Sequence, residues 1–256
     1  MELVEYITNN ASTFLFVLIR TGSMLMLAPV FGTPNVPLRI KTGLAIVLSL
    51  VLMSIVPPVE MPRDLIGLCL GIAGELLIGF TIGLTVRFVF AGFEFAGQVS
   101  GFQMGLGMAN VYDPINSVQI TVLGRLMSIL SLLIFLSING HLLVIAALKK
   151  SFETVPPYGT HLTGTLMQHI LHISGNVFVT GVKIAAPVMA TLLFLNTSLG
   201  IMARTVPQLN MFVIGFAVAT IVGFLVMAMS MPFFQGAMVR LMHDMWWRVF
   251  RLLEVM

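Results

Sequence analysis

Six apolar runs, at about residues 14–31, 40–59, 65–96, 118–148, 177–203 and 209–234, dominate this chain of 256 residues and leave it few folds to choose from. A bilayer core about 30 Å thick takes roughly 20 helical residues to cross, and lipid offers no water to backbone N–H and C=O groups. Only 9% of residues are charged, against about 25% in soluble domains, and mean hydropathy is +1.03. The chain reads as an all-α integral membrane protein. Its third and fourth runs reach about 30 residues, more than an upright span requires, so they are expected to bend or to project beyond the lipid.

Proline marks the expected helix ends: Pro29, Pro34 and Pro37 after the first run, Pro57, Pro58 and Pro62 after the second, Pro156 and Pro157 after the fourth, and Pro207 before the sixth. The long polar connection, 149–176, carries Lys149, Lys150, Glu153 and three histidines, and its second half begins the helix of the fifth run. No linker divides the chain into independent soluble domains. The organisation is N-terminal helices over 1–96, a glycine- and methionine-rich segment over 97–117, C-terminal helices over 118–234 and an amphipathic helix over 235–256. In that last helix Met242, Met245, Trp246 and Val249 alternate with Arg240, His243, Arg248 and Arg251. The pattern suits a membrane-surface anchor or a docking helix for a cytoplasmic partner. Lysine and arginine placement puts both termini on the cytoplasmic side. Glu2 and Glu5 stand where a secretory signal has basic residues, so no cleaved signal is expected.

Several function classes fall away. Net charge is +3 with scattered basic residues, which gives nucleic acid no basic face. Nucleophile-elbow, zinc-protease and phosphate-loop motifs are lacking, so neither an enzyme nor a cofactor is expected. His169 and His172 with His161 upstream have helical spacing for a metal but no carboxylate or cysteine nearby, and a solvated histidine face is the expectation. The single cysteine, Cys69, lies in an apolar run and is expected to be a buried structural thiol.

Ionisable residues inside apolar helices cost about 2.5–3.5 kcal/mol each at a helix centre, so they seldom persist without a role. They are Arg20, Glu75, Arg87, Glu94, Arg125 and Lys183. A buried charge network of Glu75, Arg87, Glu94 and Arg125 is the expectation, as pairing across helices or as an ion path. A secondary transporter coupled through Glu75, Arg87 and Glu94 is the alternative reading of the whole chain.

Glycine at 97, 101, 105 and 107 weakens a helix by about 1 kcal/mol each relative to alanine, so this stretch can bend, approach neighbours closely or leave helical form. Gly67/Gly71, Gly79/Gly83 and Gly97/Gly101/Gly105 share the i, i+4 spacing that lets membrane helices pack tightly. Met104 and Met108 lie beside the last of these, suited to a deformable seal.

Several strings together resemble the FliR family of the flagellar type III export gate, whose injectisome relatives are called SctT or SpaR. They are Arg20 with Pro29-Val30-Phe31 and Val36-Pro37, Gly101-Phe102-Gln103-Met104-Gly105 with Asp113-Pro114, Asn139-Gly140-His141, and the run from Val206 to Phe216. The resemblance spans nearly the whole chain. It implies long, bent helical hairpins assembled with homologous FliP-like and FliQ-like subunits, rather than a bundle lying in a flat bilayer. It implies an inner-membrane location in the flagellar basal body, a core projecting above the membrane plane, and work with FlhB-like and FlhA-like components on unfolded substrates. It also implies a pore plug at about 105–117, with Gly105 and Gly107 as hinge, Met108, Val111 and Tyr112 as sealing contacts, and Asp113-Pro114 as the returning turn. The sequence departs from the family pattern at Met108 and Val111, where phenylalanine is frequent, and at Ala217, where proline often follows Gly-Phe.

Overall fold

The computed structural model describes residues 10–33, 36–59, 64–108, 121–159, 164–205 and 210–255. Among them are eight α-helices and no strands: α1 (Ala11–Leu27), α2 (Leu38–Met53), α3 (Leu65–Gln103), α4 (Val122–Ser137), α5 (Gly140–Thr154), α6 (Gly164–Thr205), α7 (Met211–Met229) and α8 (Met231–Val255), with a 3₁₀ turn at Leu106–Met108. The all-helical reading holds, and the proline clusters fall beyond the ends of α1, α2, α5 and α6.

Local chemistry sets several boundaries. Asp64 accepts the Gly67 N–H at 2.7 Å to open α3, and Thr121 accepts the Gly124 N–H at 3.0 Å to open α4. Pro232 occupies the first turn of α8, where its missing N–H costs no intrahelical bond. The expected run 118–148 is broken without proline. Asn139 adopts φ 56°, a left-handed conformation that asparagine tolerates, between α4 and α5. Pro187 lies inside α6 and removes one backbone bond from that helix without ending it.

α3 and α6 have 39 and 42 residues, so at 1.5 Å per residue they extend about 58 Å and 63 Å, roughly twice a bilayer core. Among the described residues, Leu65–Gln103 and Ile170–Thr205 are long and apolar enough to span, and two bent pairs, 122–137 with 140–154 and 213–229 with 231–249, bring the number to as many as four if each pair is one span.

The chain forms two compact units, each assembled from separate stretches. The first comprises residues 1–88, 139–174 and 242–256, with a core that includes Phe16, Met24, Leu25, Ile78, Ile82, Leu148 and Phe152. Here α1 packs on α2. The second comprises 89–138 and 175–241, cored by Phe93, Met104, Leu123, Phe135, Ile184, Leu192 and Met238. Cys69 corrects an expectation: it is exposed, in the stretch where Leu65, Ile66 and Leu70 are also exposed. In a membrane chain an apolar run is a lipid- or partner-facing surface as readily as a core, so the run's hydrophobicity said nothing about the thiol's burial.

Candidate functional site

In the first unit one ion pair occupies the middle of the core. Arg20 on α1 and Glu75 on α3 are both fully buried; Arg20 Nε donates to Glu75 Oε2 at 2.6 Å and a terminal guanidinium nitrogen donates to Oε1 at 3.0 Å. The other terminal nitrogen donates to Ser151 Oγ at 3.2 Å and to the Val155 carbonyl at 3.0 Å, while Oε1 also accepts the Tyr158 N–H at 3.2 Å. The guanidinium carbon lies 4.2 Å from the Phe152 ring centroid. A planar fork against a carboxylate, with both donors of the other terminal nitrogen also satisfied, is the geometry in which a buried pair can be held. The node ties α1, α3, α5 and the turn after α5 to one point.

One and two turns beyond Glu75 lie Gly79 and Gly83, on which α1 rests. A Cβ at Gly79 overlaps Ser23 Oγ and the Arg20 carbonyl, and one at Gly83 comes within 2.7 Å of the Met24 carbonyl. Gly71 receives the Tyr158 and Phe16 rings. The matched steps, 79 with 20 and 83 with 24, show that α1 and α3 run in the same sense.

In the second unit the same helix repeats the device against a different neighbour. A Cβ at Gly97 falls 2.7 Å from the Leu123 carbonyl oxygen and 2.8 Å from the Gly124 Cα, and one at Gly101 falls 2.9 Å from Thr121 Oγ1. Together with the edge-on Phe90–Phe135 pair at 5.2 Å, these contacts set α3 and α4 antiparallel. Gly92 and Phe95 meet Thr180 and Phe178 on α6.

α3 ends against α7. The backbone leaves helical form at Gly105, φ 80°, where a Cβ comes 2.7 Å from the Phe216 ring. Thr220 Oγ1 donates to the Met104 carbonyl at 3.3 Å, and the fully buried Met104 side chain fills the space over Gly223. Phe216, Thr220 and Gly223 recur at helical spacing, so one face of α7 holds the base of the glycine-rich segment. A cavity of about 410 Å³ opens beside it, lined by Gln103, Gly105, Asn196, Leu199 and Phe216 among others.

Of the expected plug residues, Gly105 has the positive φ, Gly107 is buried against the Phe102 ring, and Met108 closes the 3₁₀ turn with its backbone. Val111, Tyr112, Asp113 and Pro114 lie outside the described residues. Of the expected charge network, Glu75 is joined to Arg20, which the network did not include. Arg87 and Arg125 are exposed, Glu94 is half-buried, and none of the three makes an ion pair among the described residues. Sequence reasoning missed Ser151, Phe152 and Tyr158 at the node and Thr220 and Gly223 at α7; serine, threonine and glycine within apolar helices were the only signals.

The chain matches the family described as "Bacterial export proteins, family 1" over residues 11–245. It is similar to the flagellar biosynthetic protein FliR of Escherichia coli K12, with 36% identity over 220 residues, 86% of this chain and 84% of that protein. FliR of Bacillus subtilis 168 is 32% identical over 227 residues, 85% of each chain. FliR of Pectobacterium carotovorum is 31% identical over 224 residues, 88% of this chain and 86% of the relative. A family match that begins at the first residue of α1 and runs into α8 takes in the ion-pair node, the glycine contacts of α3 and the α7 clamp, and the chain therefore belongs to the bacterial export proteins, family 1.

Proposed function

We propose that the chain is a non-enzymatic core subunit of the flagellar type III protein export gate, which helps form and close the channel for unfolded export substrates at the inner membrane. The observation that carries this is the likeness over most of the chain to relatives named flagellar biosynthetic protein FliR. Two physical features support it. Helices about twice as long as a bilayer core and many exposed large apolar side chains, such as Leu70, Phe80, Phe194 and Met229, suit a subunit whose faces are covered by lipid and by FliP-like and FliQ-like neighbours. The assembled core then projects above the membrane plane. At Gly105, a conformation open to glycine follows a residue clamped by α7, which supports the reading of a hinge at the start of a plug over 105–117.

In this reading Met108, Val111 and Tyr112 close the pore, Asp113-Pro114 returns the chain to α4, and a translocating chain displaces the plug. Export energy and substrate delivery belong to FlhA-like and FlhB-like components. The transporter alternative finds no support in the ion pair, because Glu75 is already committed to Arg20 and the Tyr158 N–H.

Co-expression with FliP-like and FliQ-like proteins, purification through a tag on this chain and native mass spectrometry test the proposal. A discrete complex of fixed composition is expected. Recovery of the chain alone, monodisperse in the presence of those proteins, overturns it.

A further inference from the structure

A cavity of about 480 Å³ lies in the first unit between the early turns of α6 and the end of α8, lined by Gln168, His172, Ile173, Arg248, Arg251 and Leu252. Gln168 and His172 are four residues apart on α6, and Arg248 and Arg251 three apart on α8, so each pair shares a helix face. Among the described residues the lining holds two arginines and no carboxylate. Among the described residues neither arginine is in an ion pair, and Asp244, one turn before Arg248, makes none with it. Ile173 and Leu252 are buried, which gives the cavity an apolar floor beneath its cationic wall. Two guanidinium forks with imidazole and amide groups opposite suit the oxygens of a phosphate group.

The position indicates where such a phosphate comes from. The long apolar span Ile170–Thr205 begins between Gln168 and His172, so the cavity opens at one end of a span. Trp247, adjacent to Arg248, is 58% exposed, and α8 carries its apolar stripe of Met238, Met242, Met245, Val249 and Leu252 inward. An exposed tryptophan beside arginines on an amphipathic helix is the arrangement of a membrane–water boundary.

We propose that this cavity binds the phosphate group of an anionic phospholipid at headgroup depth.

The test is native mass spectrometry of the full chain released from detergent, titrated with phosphatidylglycerol and, separately, with phosphatidylcholine. Retention of phosphatidylglycerol over phosphatidylcholine is expected, and it should weaken about tenfold or more in Arg248→Gln/Arg251→Gln. Arg240→Gln, which removes one arginine from α8 outside the cavity, should leave retention unchanged. Arg248→Lys/Arg251→Lys keeps the charge and loses the forks; intermediate retention supports the site, and this variant carries the test if the glutamine pair fails to fold. Equal retention of the two lipids, or equal loss in Arg240→Gln, overturns the proposal. So does displacement of the lipid by equimolar inorganic phosphate, which assigns the cavity to a soluble anion.

Discussion

Replacing Glu75 by glutamine keeps the side chain's shape and removes its charge, which isolates what the buried pair contributes. Glutamine offers one oxygen where glutamate offers two, so one of the guanidinium donors now held at 2.6 and 3.0 Å faces an NH₂ group. Arg20, fully buried, is left as an uncompensated cation. Breaking such a pair from one side costs about 3–5 kcal/mol. For a chain of this length that corresponds to a fall of about 6–20 °C in unfolding midpoint, measured by thermal scanning of the purified protein in detergent. The double variant Arg20→Met/Glu75→Leu removes both charges and should recover much of the loss. Its residual cost is set by the Val155 carbonyl, which is buried and loses its donor, at about 1–3 kcal/mol. Ser151 keeps its own bond to the Leu148 carbonyl and Tyr158 is exposed enough for water to reach its N–H. A Glu75→Gln variant within about 1 kcal/mol of the parent refutes the reasoning, as does a double variant as unstable as the two single losses added together.

Gly97→Val drives a branched side chain into the Leu123 carbonyl and the Gly124 Cα, backbone atoms that yield only if α4 moves; the expected result is loss of protease protection across α3 and α4. Gly22→Ala meets nothing within 4 Å and should gain up to about 1 kcal/mol of helix stability, read as a raised unfolding midpoint. Gly105→Ala has to hold φ near 80° beside the Phe216 ring, at a cost of about 1–2 kcal/mol. It should impair flagellar secretion with the complex still assembled, and normal export removes the hinge. Deleting 106–112 should raise the conductance of the full gate to small ions, and an unchanged conductance argues against a plug.

How far the sequence revealed this structure depends on the kind of signal. Helices and most of their ends were legible because apolar runs and prolines act locally; the helices follow from 11–27 through 231–255 with modest shifts. The break at Asn139 was not legible. It rests on one residue taking a left-handed conformation within an otherwise continuous apolar run, and a scan for prolines passes over it. At the ion pair the sequence named both Arg20 and Glu75 as costly, but their partnership spans 55 residues and no local spacing encodes it. Arg87 and Glu94, two turns apart on one helical face, were grouped with Glu75 in one network, yet spacing along one helix says nothing about which face a neighbour covers. Glycine spacing carried the opposite lesson. The Gly79/Gly83 and Gly97/Gly101 pairs announced close helix approach correctly, while the approaching partner had to come from the fold.

α3 explains why those glycine pairs occupy one helix. Within the first unit Gly79 and Gly83 accept the backbone of α1, and within the second Gly97 accepts that of α4, while Gly101 takes the Thr121 side chain. At Gly79, Gly83 and Gly97 the neighbour presents backbone atoms, so no rotamer there absorbs a shift along the helix axis. A slide of one residue moves a side chain into the Met24 or Leu123 carbonyl, and the Glu75 carboxylate out of the Arg20 fork. The register of α3 is thereby held within each unit by contacts that fit one setting. At its C-terminal end the device changes: Met104 is held by a hydrogen bond and a flexible thioether against Gly223, and at Gly105 the chain departs from the helix. Those contacts can be given up without moving a backbone carbonyl through another helix. A helix fixed by steric fit along its length and ended by contacts that can part suits the gate we propose, in which displacing the segment beyond Gly105 would leave the scaffold that must receive it again unchanged.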